Sequence, residues 1–251
     1  MTISEAPPSA PAPAAEPAPS SFGRIFGVLF SPDATFASIA RRPTWVAPLL
    51  VLIVLSIVSG FIMSSRIDWS APAREAMEAR KDVPREAQER AVRMAGAMGK
   101  VIAYAGPVFL VIILAIVAGI LLLAFRMFGG EGNFAQAWAA TLYAYMPSVI
   151  KSIAFLIILV AKGETGVSPL AMATLVRSNP AFLFDPKTNP MGFALATNLD
   201  LFSLWVMVLL IIGFAHLAKV SKGKSAAVVV SLYIVKCLLG LIGPAVQTLR
   251  K

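Results

Sequence analysis

Disulfides, metal ligands and charge are what this 251-residue sequence has least of. Cys237 is its one cysteine, so no intrachain disulfide and no paired-cysteine metal site is available. His216 is its one histidine and has no acid near it in sequence. That denies it a metal cluster and leaves two readings, an interfacial or satisfied histidine and a proton carrier. Only 14% of the residues are charged and 58% are hydrophobic, where a soluble domain carries about 25% and about 45–50%. Too little polar surface remains to coat a water-soluble globule, and the mean hydropathy of +0.78 agrees. Catalytic signatures are missing too. No HExxH, GxSxG or paired carboxylates occur within the apolar runs, and the turn Gly129-Gly130-Glu131-Gly132-Asn133 lacks the spacing and preceding strand of a nucleotide loop. The expectation is a chain with no enzymatic activity, no cofactor and no metal site.

The net charge of +9 raises nucleic acid as a partner. The distribution argues against it, because the cations lie in short inter-helix segments and beside helix ends, with no aromatic-interleaved basic face. Cations flanking a bilayer surface account for them. The lipid bilayer is therefore the expected partner, with other membrane proteins or a second copy of the chain as further candidates.

Five apolar runs are present, at about 45–63, 101–125, 134–161, 201–218 and 226–246. The first has 19 residues without a charge, and at ~1.5 Å per residue it covers about 28 Å, close to the hydrocarbon thickness. The fold class is thus all-α, a polytopic bundle of about five transmembrane helices. Residues 1–21 form a Pro/Ala-rich tail with six prolines and no apolar face to bury, read as disordered. It has no basic start or apolar core of a signal peptide, so the first run is read as a retained anchor and 22–250 as the membrane domain.

Before that run, Phe22, Ile25, Phe26, Leu29 and Phe30 recur at helical spacing. The stretch is too short to span and suits an amphipathic helix in the headgroup region, or one packed on the protein itself. Ser31-Pro32-Asp33 then reads as an N-cap, a first-position proline and a first-turn acid, starting a second short helix that presents Phe36 and Ile39. Phe22, Phe26, Phe30, Phe36 and Trp45 are the candidate interfacial anchors.

The segment 65–100 alternates eight Lys/Arg with six Asp/Glu, with Arg74 and Glu78 at pairing distance. From Pro84 it reads as a solvated helix extending the second run. In that run Ala115 and Gly119 form a small-xxx-small pair, a candidate close helix contact. The third run is the most polar, with Gln136, Thr141, Tyr143, Tyr145, Ser148 and Lys151, and Pro147 predicts a kink. Residues 162–199 read as an extramembrane loop with short helices near 170–176 and 191–197, and Asp200 as the N-cap of the fourth run.

Lys151 and Lys236 stand out. Each lies inside an apolar run, where a charge costs ~2.5–3.5 kcal/mol on insertion scales. Snorkelling is one reading. An intramembrane polar cluster of Lys151, Lys236, Tyr143, Tyr145 and Asp200 is the other.

Three stretches, LFSPDATFASIARRPTWVAPLL (29–50), FAQAWAATLYAYMPSVI (134–150) and NLDLFSLWVMVLLIIGFAHLAKVSKGKS (198–225), resemble the bacterial branch of the Yip (Ypt-interacting protein) family. Their order and spacing cover everything but the tail. The resemblance implies a five-helix α-fold in a membrane, a bacterial inner membrane here, with no known catalysis. In eukaryotic members it implies association with Rab-type GTPases and vesicle traffic. It also implies an inward N-terminus, whereas seven cations on that side against thirteen on the other favour the reverse by the positive-inside count. Two functions follow as expectations. One is a non-enzymatic scaffold or membrane-organising factor. The other is a small transporter or permeation subunit with Lys151 and Lys236 lining a polar path.

Overall fold

The structure is a computed structural model that describes residues 20–80, 82–163 and 165–249. Most of the tail read as disordered lies outside them; Ser20 and Ser21 do not, because Ser20 Oγ caps the first helix by accepting from Gly23 N–H at 3.1 Å. Helix α1 (Ser21–Phe30) folds back against α2 (Pro32–Arg41). The two cross closely at Gly27, where a Cβ would meet Thr35 Oγ1 at 2.5 Å. Ser31 holds the N-cap position of α2, but its side chain makes no capping bond. Its carbonyl instead takes both the N–H and the hydroxyl of Thr35. Arg24 is buried, and its Nη1 donates to the Arg42 carbonyl and Thr44 Oγ1, both at 2.8 Å, fastening α1 to the break before the first span.

The five apolar runs are all helical. They are α3 (Val46–Arg66), the inner part of α5 (Arg85–Met127), the pair α6 (Phe134–Ala144) and α7 (Met146–Ala161), α10 (Leu201–Ala218), and α11 (Lys222–Gly240) continuing into α12 (Ile242–Leu249). All five are long and apolar enough to cross a membrane. Short helices α4 (Ala71–Glu78), α8 (Pro169–Leu175) and α9 (Pro190–Asn198), with a 3-10 turn at Pro180–Leu183, fill the connections. Among the described residues there is no strand, only a bridge between Ile67 and Val167.

As expected, α5 runs well beyond the membrane, beginning at Arg85. Its charged extension packs on α4, and Arg74 pairs with Asp68 at 3.1 Å instead of Glu78. Pro147 breaks the third span at Tyr145, because it has no N–H and its ring would meet the carbonyl four residues back. The Ser148 N–H closes the break by bonding the Tyr145 carbonyl at 3.0 Å. Asn133 and Gln136 begin that span with a reciprocal capping box.

The core lies where α2, α5, α6 and α10 meet, around Phe36, Leu114, Phe125, Tyr143 and Phe214. The rings of Phe125 and Phe214 stack at 5.1 Å. Phe36 is a correction to the sequence reading. Expected at the interface, it is 1% exposed and its ring fills the space left by Gly213, where a Cβ would approach it at 2.9 Å. Gly119 is a second correction. A Cβ there meets nothing within 4 Å, so no helix crosses at that face of α5.

Candidate functional site

Asp200 begins α10 and faces four partners with one carboxylate. Its Oδ1 accepts from the N–H groups of Phe202 and Ser203, each at 3.1 Å, which is the expected cap. Its Oδ2 accepts from Lys151 Nζ at 2.7 Å and from the Ser178 hydroxyl. Asp200 is 1% exposed and the Lys151 side chain 35%. A helix cap and an ion pair between the third span and the head of α10 thus share one side chain, and the fully satisfied carboxylate meets the condition for burying a charge.

The backbone around this pair holds it in place. The Leu201 N–H bonds the Ser178 carbonyl at 2.9 Å, drawing the chain before the 3-10 turn onto the head of α10. Asn179 fixes that approach by bonding the Ala173 carbonyl and the Ala181 N–H, both at 3.0 Å. The segment read from sequence as an extramembrane loop is thus fastened to the end of the bundle. Its apolar helix α9 packs on α11 and α12.

Lys236 reaches the same place from the last span. Its Nζ donates to Asn198 Oδ1 at 3.0 Å and lies 4.9 Å from the centre of the Tyr233 ring. Tyr233 donates to the Asn198 carbonyl at 2.6 Å. One polar junction therefore ties the third, fourth and fifth spans to the 178–200 segment.

The junction lies inside a matched region. A family model described as the Yip1 domain matches residues 26–243. The chain belongs to the Yip1 domain family. No curated protein and no solved structure matches it. The match takes in the first four spans of this Yip1 protein whole and the fifth as far as residue 243. The Yip1 family is not a known enzyme family.

The remaining candidate residues of the Yip1 domain fall into different places. Tyr143 does not join the lysines: it is fully buried, and its hydroxyl donates to the Ser21 carbonyl at 3.0 Å, linking α6 to α1. Tyr145 sits at the helix break, packed on the core. Ser178 and Tyr233 were missed by sequence reasoning. Tyr233 carried a signal, lying three residues before Lys236 on one helix face; Ser178 carried none. Phe22, Phe26 and Phe30 form an exposed ridge on α1, and Trp45 is also exposed, at the entry to α3.

At the opposite end, Asp33 Oδ1 bonds Lys222 Nζ at 2.8 Å and His216 Nε2 at 2.9 Å, tying α2 to α10 and α11. His216 is thus a partnered histidine. Lys219 pairs with Glu131 at 2.6 Å beside them. Lys222, and then His216, hold the Asp33 carboxyl below its usual value of 3.8. A carboxyl depressed on folding stabilises the fold above the unfolded value, and that contribution disappears as pH falls through the folded value. Thermal unfolding in detergent should therefore show wild type losing stability below about pH 4 more steeply than Asp33→Asn. The difference should shrink in high salt, because the cluster is exposed. Parallel pH profiles for the two proteins would refute the tether.

Proposed function

We propose that this Yip1-domain protein is a non-enzymatic scaffold or membrane-organising factor of a bacterial cell membrane. The observation that carries this reading is the treatment of its intramembrane cations. Lys151 is bound to Asp200, and Lys236 to Asn198 and the Tyr233 ring, so both fasten helices together. Hollows of about 410 and 570 Å³ lie on the charged α4–α5 extension, lined by residues such as Gln88 and Arg93 and by none of Lys151, Asp200 and Lys236. The exposed phenylalanine ridge of α1 supports an added hold on the interface, since an amphipathic helix there buries apolar area among headgroups. The bacterial-branch character of the three resembling stretches supports the location.

Reconstitution into vesicles tests the reading. Purified protein should change vesicle size or clustering in electron micrographs while leaving proton and small-ion flux at the level of protein-free vesicles. Flux that disappears in Lys151→Met would establish permeation instead. Vesicles indistinguishable from protein-free ones would reject an organising role.

A further inference from the structure

Lys236 carries a charge that the described residues do not neutralise. Its two partners, the Asn198 amide oxygen and the Tyr233 ring, are both uncharged. Arg177, adjacent to Ser178, is also exposed, with its guanidinium 5.5 Å from the Phe182 ring centre. Among the described residues neither cation is bonded to a carboxylate; the junction sets Lys151, Lys236 and Arg177 against Asp200 alone. A charge at membrane level is stable when paired or wetted. A lysine without a partner ordinarily stretches along its helix toward water. Lys236 holds to Asn198 and to the ring of Tyr233, one turn earlier on its own helix.

The surroundings say what kind of anion fits. Phe182, Leu183, Leu199, Val235 and Leu239 are all exposed around these cations. A soluble anion gains nothing from such a surface, whereas acyl chains do. Asn198, which Lys236 bonds, lies three residues before the start of α10 at Leu201, so the ammonium sits at the outer end of the fourth span, at a depth headgroups reach. Helix α7 continues to Ala161, about 15 Å along its axis past Lys151. Lys236 and Arg177 are exposed, so the junction is open on the side that carries these apolar side chains.

We propose that Lys236, positioned by Asn198 and Tyr233, binds the phosphate of an anionic phospholipid headgroup. The ammonium has three N–H donors and one is used on Asn198, which leaves two for phosphate oxygens. The Tyr233 hydroxyl proton is committed to the Asn198 carbonyl, and one of the two Asn198 amide N–H donors to the Ala194 carbonyl. Recognition is thus by charge, with Lys151 and Arg177 adding to the local field. Basic recesses between membrane helices bind anionic headgroups on the same physical grounds. The inference goes beyond the scaffold reading and does not depend on it.

Native mass spectrometry of the full chain released from mixed phosphatidylglycerol and phosphatidylcholine nanodiscs tests it. Wild type should retain phosphatidylglycerol preferentially. Lys236→Gln should lower that retention about fivefold, the loss expected for one surface cation, and Lys236→Arg should keep it. Millimolar inorganic phosphate should displace nothing. Equal retention of the two lipids, unchanged retention in Lys236→Gln, or displacement by inorganic phosphate would each overturn the proposal, the last by assigning the site to a soluble anion. If Lys236→Gln fails to fold, a fluorophore on Cys237 of the otherwise wild-type chain decides. Its emission should respond to titration with phosphatidylglycerol and not with phosphatidylcholine; the same response to both, or none to either, refutes a phosphate site beside Lys236.

Discussion

Replacing Asp200 with alanine should lower the stability of the solubilised protein by about 4 kcal/mol, the largest loss expected from any polar substitution in the chain. Two losses combine. Removing one partner of a buried ion pair costs about 3–5 kcal/mol, because the other charge is left in low dielectric. Lys151 is 35% exposed and finds some relief, which places its share at the lower end. Loss of the cap on Phe202 and Ser203 adds about 1 kcal/mol. Asp200→Asn keeps an oxygen for the cap and should cost less. Lys151→Met should be milder still, since the Asp200 carboxylate retains two backbone N–H groups and the Ser178 hydroxyl. Thermal unfolding followed by tryptophan emission gives the order. The double variant Lys151→Met/Asp200→Asn should lose less than the sum of its parts by more than about 1 kcal/mol. Strict additivity would mean that the pair contributes nothing to holding the third span against the fourth.

The outcome bears on how a sequence of this kind is read. Long uncharged runs made the spans legible, because hydrocarbon thickness sets a length that composition alone can match. Pro147 announced the break in the third span, and Asp200 announced the start of α10, since both act on backbone groups a few residues away. The pairing of Asp200 with Lys151 was not legible. The two lie 49 residues apart, and nothing in either neighbourhood specifies the other. The burial of Phe36 was hidden for the same reason. Its helical spacing is equally that of an interfacial ridge and of a core contact, and Gly213, distant in the chain, decides between them. The apolar character of 168–199 was visible, but its meaning was not. A short apolar helix fits a bilayer surface or a protein groove, and only α11 and α12 show which it is.

Small residues illustrate the same limit and lead to the second large effect. Gly119 carries the familiar spacing with Ala115 yet touches nothing, whereas Gly60, which has the same spacing with Ser56 and Ser64, lies where α3 meets α5. A Cβ on Gly60 would stand 2.5 Å from the Ala103 carbonyl oxygen and 3.3 Å from its carbon. Both obstacles are backbone, so no side chain can turn aside, and the two helices must part. Parting them strains the neighbouring Ser64–Tyr104 hydrogen bond of 2.9 Å and the Phe61–Tyr104 edge contact at 5.6 Å. Overpacking costs typically about 1–3 kcal/mol, and helix propensity returns up to about 1 kcal/mol when glycine becomes alanine. Gly60→Ala should therefore lose about 1–2 kcal/mol net, and Gly60→Val about 3 kcal/mol, since it adds two methyl carbons beyond a Cβ that already meets backbone. At Gly119 the same propensity gain is unopposed, so Gly119→Ala should be neutral or slightly stabilising. Melting temperatures of the four variants, measured in one detergent, separate the two sites. Equal losses for Gly60→Val and Gly119→Val would show that α3 is free to slide on α5, and the first two spans would then be a loose pair instead of a packed one.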